Sequence, residues 1–94
     1  MKNYRKIKIN LSSKFKRAYK KLPAHIQTDF DKRIKLFFIN PFDPKLKTHK
    51  LKGRLQSCQA LRLKDGFRVL FEFVDSDTVD LLSVGPHDLY DKRK

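Results

Sequence analysis

The stretch ALRLKDGFRVLFEF, residues Ala60–Phe73, decides the fold, because two alternating runs of apolar residues flank a turn signal. Apolar side chains recur at every second position on both sides of Asp65-Gly66, which is the periodicity of a half-buried strand. The Asp-Gly pair tolerates the positive φ angles of a tight hairpin turn, so the pattern predicts two antiparallel strands. One face of this hairpin presents an aromatic row that must be covered. The other face presents Arg62 and Arg68 and is predicted to stay uncovered.

Two segments upstream of the hairpin have the apolar spacing of amphipathic helices. Their apolar stripes consist of Phe15, Ala18, Tyr19 and Leu22 in the first segment and of Ile26, Phe30, Ile34, Phe37 and Phe38 in the second. Ser12 or Ser13 can cap the first helix, since a serine hydroxyl accepts a hydrogen bond from an otherwise unpaired backbone N–H. Pro23 ends this helix and can begin the next one, because its missing N–H costs nothing at a first helical position.

The second helix is predicted to run from about Pro23 to Ile39. Its acidic residues precede basic residues by four positions, in the pairs Asp29 with Arg33 and Asp31 with Lys35. This spacing favours ion pairs on a solvated outer face of the helix. The apolar stripes of both helices match the aromatic row of the hairpin, so we expect an antiparallel helical pair to lie on that face of the sheet.

Three further segments complete the predicted sheet and its connections. Ile7 and Ile9 alternate with charged residues, which predicts a short N-terminal strand with both isoleucines inward. Asn40–Pro44 contains two prolines and is predicted to be an extended loop. Thr78–Val84 is more fully apolar, which predicts a strand inside the sheet that ends at Gly85-Pro86. The 94 residues are therefore predicted to form one α+β domain, residues 1–94, in the order β-α-α-β-β-β.

The charge of the chain predicts a polyanionic partner. The formal net charge is +13, and residues 1–64 hold 19 Lys and Arg against 3 Asp and Glu, whereas residues 65–94 hold 4 against 7. Such an excess favours nucleic acid first and an acidic protein second. A basic surface that serves only solubility is the alternative, although acidic surfaces serve solubility better.

The densest basic segment lies just before the hairpin. It contains Lys45, Lys47, Lys50, Lys52 and Arg54, with His49 in the middle. Because this segment leads directly into the strands that carry Arg62 and Arg68, we interpret it, together with Lys64, as a surface that binds nucleic acid. The alternative is a loop that only carries solvated charge.

Several classes of site are not predicted. A single cysteine, Cys58, excludes an intramolecular disulfide, and without spaced partner ligands it predicts no metal site. We expect this thiol to pack as a small apolar residue and His25 to be an exposed helical histidine. The N-terminal residues contain no long apolar run, so we expect neither a signal peptide nor a membrane span, and a cytoplasmic or nucleoid-associated protein without a cofactor.

Five phrases of the sequence, in their order and spacing, resemble the RelE/ParE superfamily of bacterial toxins from type II toxin–antitoxin systems. They are FKRAYKKLP (15–23), NPFDPKLKTHKLKG (40–53), LRL (61–63), GFRVLF (66–71) and VGPHDLY (84–90). The resemblance runs over nearly the whole chain. It implies two helices packed on one face of a curved, mainly antiparallel sheet, and a small cognate antitoxin as the partner in a hetero-oligomer.

Members similar to RelE and YafQ cleave mRNA in the ribosomal A site, and the resemblance implies that activity here. The nucleotide's own 2′-hydroxyl attacks without a metal, which requires a base, positive charge on the phosphate and an acid for the leaving 5′-oxygen. By resemblance, Arg62 and Arg68 stabilise the phosphate with their forked donors. His49 and His87 resemble two histidines of the family, and an imidazole can act as acid or base near neutral pH. We expect His87 to be the acid, because Gly85-Pro86 fixes its approach, and His49 to be the base. Tyr90 resembles an aromatic residue that stacks on a base or assists proton transfer, and the implied partners are mRNA and rRNA.

Two other functions stay open on the sequence alone. The superfamily also contains gyrase poisons, so a ParE-like protein that blocks DNA gyrase is one alternative. A catalytically degenerate toxin that only binds nucleic acid is the other, and in that case the candidate catalytic residues serve surface charge or partner binding. Two histidines at candidate active-site positions favour the nuclease over the gyrase inhibitor.

Overall fold

The computed structural model describes residues 7–51 and 57–86. Its helices are α1 (Ser13–Lys20) and α2 (Ala24–Ile39). Its strands are β1 (Lys8–Leu11), β2 (His49–Lys50), β3 (Gln59–Arg62), β4 (Arg68–Asp75) and β5 (Thr78–Gly85). Two short 3-10 turns, Pro44–Leu46 and Lys64–Gly66, precede β2 and connect β3 to β4.

The five strands form one mixed sheet in the order β1-β5-β4-β3-β2. β1 is parallel to β5, whereas the other neighbouring pairs are antiparallel. The β3–β4 hairpin pairs Leu61 with Val69, and β5 lies between β1 and β4. The α+β class, the hairpin and the interior position of the last strand are therefore confirmed.

Local hydrogen bonds explain where the helices begin and end. Ser12 is the N-cap of α1, and its hydroxyl accepts a hydrogen bond from the backbone N–H of Phe15 at 2.9 Å. Pro23 is the residue before α2, where its missing N–H costs no helical hydrogen bond. Asn40 ends α2 in an extended conformation, which is expected for a residue that precedes a proline.

The helices pack on one face of the sheet over the predicted aromatic row. Phe71 is fully buried, and its ring meets the ring of Phe37 on α2 edge to face with the centroids 5.1 Å apart. The buried core consists of Ile7, Phe15, Leu22, Ile26, Phe30, Phe37, Leu46, Leu61, Leu63, Val69, Phe71, Val79, Leu81 and Val84. Ile34, Phe67 and Phe73 are half-buried at its margin, so the predicted core is confirmed.

Four details differ from the sequence-based expectation. The basic segment contains a short edge strand, β2, in place of a loop throughout. The tight turn at Asp65-Gly66 is a three-residue turn, although both residues have the predicted positive φ, 56° and 80°. The loop after α2 is extended only before its prolines, because the Asp43 carboxylate then accepts from the Lys45 N–H and starts a 3-10 turn. Phe38 is 42% exposed, since the adjacent Phe37 occupies the core-facing side of α2.

Candidate active site

The register of the hairpin places Arg62 on β3 directly opposite Arg68 on β4. The preceding and following residues, Leu61 and Val69, are buried under the helices. Because successive strand residues point to opposite faces, both arginines lie on the face that the helices leave open. Directly opposed residues of antiparallel strands have Cβ atoms about 4.5–5.5 Å apart, so two guanidinium groups share one small area of that face.

The two arginines differ in exposure. Arg62 is exposed, whereas Arg68 is half-buried and its Nε atom is shielded from solvent. A packed stem limits the rotamers that a side chain can adopt and directs its guanidinium group. Arg68 is therefore the better placed of the two to hold a phosphate in one orientation, and Arg62 is the more adaptable partner.

His49 lies on the same open face, at the edge strand β2. It is the cross-strand partner of Ala60, which precedes Arg62 by two residues on β3. Diagonal neighbours in antiparallel strands are about 7–8 Å apart, so His49 lies about that far from Arg62, while Arg68 is one strand further away. The ribose and phosphate of one nucleotide can span that separation.

A hydrogen bond determines the tautomer of His49. The Nδ1 atom lies 3.0 Å from the carbonyl oxygen of Lys47. A carbonyl oxygen only accepts, so Nδ1 carries the proton and donates it to this bond. The lone pair of the neutral ring is then on Nε2, which can accept a proton from a hydroxyl group.

Lys47, whose carbonyl oxygen accepts the hydrogen bond from His49, has a backbone conformation that costs free energy. Its φ of 51° and ψ of 42° are left-handed, a conformation that costs a residue with a Cβ atom about 1–2 kcal/mol. The Lys47 carbonyl is nevertheless held where it meets the His49 ring. The side chains of Lys45, Lys47 and Lys50 are exposed near this ring, and Lys64 is exposed in the turn between the two arginines.

Asp29 and Arg33 on α2 form the predicted ion pair, but the prediction that this pair lies on a solvated face is wrong, whereas Asp31 and Lys35 are exposed as predicted. Asp29 is buried, with 8% of its surface exposed, and its Oδ2 lies 2.7 Å from Arg33 Nε. The same Oδ2 accepts a hydrogen bond from the backbone N–H of Lys64 at 2.8 Å. A sequence signal for this burial exists, because Asp29 follows Ile26 by three positions and so falls on the apolar side of α2.

Further polar contacts join α2 to both segments of the candidate site. Arg33 Nη1 donates to the carbonyl oxygen of Lys45 at 2.9 Å. At the start of α2, the exposed His25 lies 3.0 Å from the carboxylate of Asp65. Burial opposes the charged form of Asp29 and would raise its pKa, but hydrogen bonds from the Lys64 amide and from Arg33 outweigh it, so this pKa lies below the ordinary value.

The structure brings Arg62, Arg68 and His49 onto one face of the sheet. The other predicted site residues, His87, Tyr90, Lys52 and Arg54, lie outside the described residues. The catalytic roles of all five candidate residues stay predictions. Asp29 and Arg33 are the residues near the site that sequence reasoning did not place there.

Two classes of feature are absent from the part of the chain that the structure describes. Within residues 7–51 and 57–86, no three His, Cys, Asp or Glu side chains are grouped so that they could hold a metal ion. No helix in those ranges has the length and apolar character needed to cross a membrane. Cys58 is a buried free thiol, as expected for a small apolar packing residue.

Solved structures share this arrangement of helices and strands. YafQ from E. coli strain BL21(DE3) matches with a TM-score of 0.73 at 13% sequence identity, over 88% of this chain and 96% of that chain. A YoeB/ParE toxin from Agrobacterium tumefaciens also matches with a TM-score of 0.73, at 16% identity, over 86% of this chain and 99% of that chain. The chain has the RelE/ParE toxin fold.

A third structure with the RelE/ParE fold is the intact RelBE toxin–antitoxin complex of E. coli. It matches with a TM-score of 0.67 at 20% identity, over 85% of this chain and 95% of that chain. No protein-family model and no curated protein sequence matches this chain. At these identities the likeness shows the fold alone, and a fold does not determine a function.

Proposed function

We propose that this chain is the toxin of a type II toxin–antitoxin system and acts as a ribosome-dependent endoribonuclease that cleaves mRNA. The opposed pair Arg62 and Arg68 carries the proposal. Both guanidinium groups lie on the face of the sheet that the helices leave open, where they present positive charge to a ligand. A phosphodiester suits this position, because each guanidinium presents a planar fork of donors to phosphoryl oxygens.

The proposed reaction uses the ribose of the substrate as the nucleophile. His49 Nε2 takes the proton of the 2′-hydroxyl, and the 2′-oxygen forms a bond to the adjacent phosphorus. Arg62 and Arg68 stabilise the negative charge that builds on the phosphoryl oxygens. The bond from phosphorus to the 5′-oxygen breaks, and His87 gives its proton to that oxygen. The products are a 2′,3′-cyclic phosphate and a 5′-hydroxyl, and Tyr90 stacks on a base or assists the proton transfer.

The proposed partners follow from charge and from the similar structures. Exposed lysines at positions 45, 47, 50 and 64 belong to the two segments that carry the candidate site, and their charge favours contact with mRNA and rRNA phosphates. A RelBE toxin–antitoxin complex with the same fold supports an antitoxin as the protein partner. We expect the bound antitoxin to cover Arg62, Arg68 or His87, or to displace the residues that support them.

In vitro translation of a reporter mRNA, with 5′ ends mapped by primer extension, tests the proposal. The parent chain should produce cuts within translated codons, and Arg68→Ala should reduce them about 10²-fold or more. Arg17→Gln removes one exposed charge from α1 and should cut at the parental rate. Intact mRNA in the presence of the folded parent would overturn the nuclease. A supercoiling assay with DNA gyrase would then test the ParE-like alternative.

A further inference from the structure

A buried contact on α2 fixes the turn between the two arginines. Asp29 Oδ2 accepts the backbone N–H of Lys64 at 2.8 Å, although the two residues are 35 positions apart in the chain. Lys64 begins the turn that connects β3 to β4, so it follows Arg62 by two residues and precedes Arg68 by four. A single carboxylate oxygen therefore holds the loop from which both arginines extend.

The same carboxylate is linked to the segment that carries His49. Asp29 Oδ2 also accepts from Arg33 Nε at 2.7 Å, and Arg33 Nη1 donates to the Lys45 carbonyl oxygen at 2.9 Å. Lys45 belongs to the 3-10 turn that ends at the left-handed Lys47, whose carbonyl accepts from His49 Nδ1. The hydrogen bonds form an unbroken link between the arginine turn and the histidine segment.

A contribution to the stability of the fold does not by itself explain the ion pair between Asp29 and Arg33. Removing a carboxylate and a guanidinium from water costs several kcal/mol, and apolar replacements of buried ion pairs are often neutral or stabilising. Geometry is the stronger reason, since catalytic groups act only when they are held within about 0.5 Å of their working positions. We propose that Asp29 and Arg33 are positioning residues whose ion pair holds the arginine turn and the His49 segment at the separation needed for RNA cleavage; this inference rests on the proposed function.

Arg33→Lys is the decisive variant. Lysine keeps the positive charge beside Asp29, but its single ammonium group lacks the fork that reaches both the carboxylate and the Lys45 carbonyl. Ile34→Val is the matched control, because it removes one methylene from a half-buried neighbour on α2 without touching the pair. Both variants should fold, and circular dichroism checks this.

The activity test is single-turnover cleavage on programmed ribosomes, with ribosome affinity measured separately. Arg33→Lys should lower the cleavage rate at saturating ribosomes at least about 10-fold and leave the affinity unchanged, since misplacement of reacting groups slows the chemical step. Ile34→Val should cleave at the parental rate. In the background of Arg68→Gln, Arg33→Lys should have a much smaller effect, because it acts through the same site. A cleavage rate for Arg33→Lys equal to that of Ile34→Val would overturn the proposal. The proposal would also fail if Arg33→Lys lowered the rate by the same factor in the Arg68→Gln background as in the parent.

Chemical shifts measured by nuclear magnetic resonance test the link between the two segments independently of the proposed nuclease activity. In Arg33→Lys, both the Lys64 amide and the imidazole nitrogens of His49 should shift, and Ile34→Val should leave both unchanged. If the parent never cleaves mRNA, the nuclease fails, while shifts at both positions still support the link between the two segments. A shift confined to one segment would overturn the link, whatever the activity of the parent.

Discussion

Arg62 on β3 and Arg68 on β4 are direct cross-strand partners on the open face of the sheet. Arg62 is exposed, so Arg62→Gln should leave the free energy of unfolding within about 0.5 kcal/mol of the parental value. The same change should lower mRNA cleavage by about 10²-fold, since it removes a group that stabilises the phosphate. Urea unfolding and single-turnover cleavage measure the two effects.

Arg17→Gln is the control for the arginine pair, because it removes an exposed positive charge from α1 with no cross-strand partner. It should change neither property beyond the general effect of lowering the net charge. An equal loss of cleavage in Arg62→Gln and Arg17→Gln would contradict the role of Arg62 in stabilising the phosphate.

Phe71 is the central residue of the core. It is fully buried and contacts Phe37 and Phe73 with ring centroids 5.1 and 5.9 Å apart. Phe71→Ala should lower the free energy of unfolding by about 3–5 kcal/mol through lost burial and the cavity left behind. Val74→Ala, at a neighbouring position that is 58% exposed, should stay within about 0.5 kcal/mol of the parent. Equal urea midpoints for the two variants would refute the central position of Phe71 in the core.

Asp29 should make the fold sensitive to acid. Its pKa is lower in the folded chain than the ordinary value, because the Lys64 and Arg33 hydrogen bonds outweigh the opposing effect of burial. A lowered folded-state pKa stabilises the fold above the unfolded pKa of about 3.9, and this contribution disappears as pH falls through the folded value. Asp29→Asn should therefore cost about 1–3 kcal/mol at pH 7 and weaken the dependence of stability on pH below about 5.

Unfolding by urea at pH 7 and pH 3 checks the Asp29 prediction. Asp31→Asn, which removes an exposed carboxylate from the same helix and leaves the Lys64 amide bonded to Asp29, is the control for the lost charge. Part of the dependence of stability on pH should survive in Asp29→Asn, because the Asp77 amide hydrogen bond also lowers the pKa of Asp75. An unchanged difference between pH 7 and pH 3 in Asp29→Asn would refute the assignment.

A residue that tolerates the left-handed backbone conformation of Lys47 better than lysine does should stabilise the fold. Asparagine tolerates φ near 51° better than lysine does, so Lys47→Asn should raise the free energy of unfolding by about 0.5–1 kcal/mol. Lys47→Gln removes the same charge but keeps the backbone cost, and it should therefore gain less. Thermal unfolding of the two variants at one ionic strength gives the comparison. No difference between them would show that the left-handed conformation costs little.

RNA binding should weaken steeply with salt, because bound lysines release counterions from phosphates. Replacing Lys45, Lys47 and Lys50 together by Gln should reduce the slope of log affinity against log salt by about 2, since each phosphate contact on a single strand contributes about 0.7. The control replaces Lys14, Lys16 and Lys20 on α1, which are equally exposed. Fluorescence anisotropy with a single-stranded RNA measures both slopes. A larger reduction in the control would place the RNA surface on α1.

Local rules were enough to predict most of the fold. The alternation from Ala60 to Phe73 predicted the hairpin, because a strand has a period of two and one face had to be buried. The helical stripes, the Ser12 cap and the positive φ of Asp65-Gly66 depend on neighbours within a few residues. The same alternation also placed Arg62 and Arg68 on the open face, so one part of the candidate site followed from sequence.

The sequence by itself therefore determined most of the elements and the faces they present, because these depend on the chemistry of nearby residues. Only the tertiary structure decided which distant segments meet. The edge pairing of His49 with Ala60 and the bond from Asp29 to the Lys64 amide join parts of the chain that no local pattern connects. Asp29 is buried although its spacing predicted a surface ion pair, and the backbone N–H supplied by the turn of the hairpin, together with Arg33, satisfies its carboxylate.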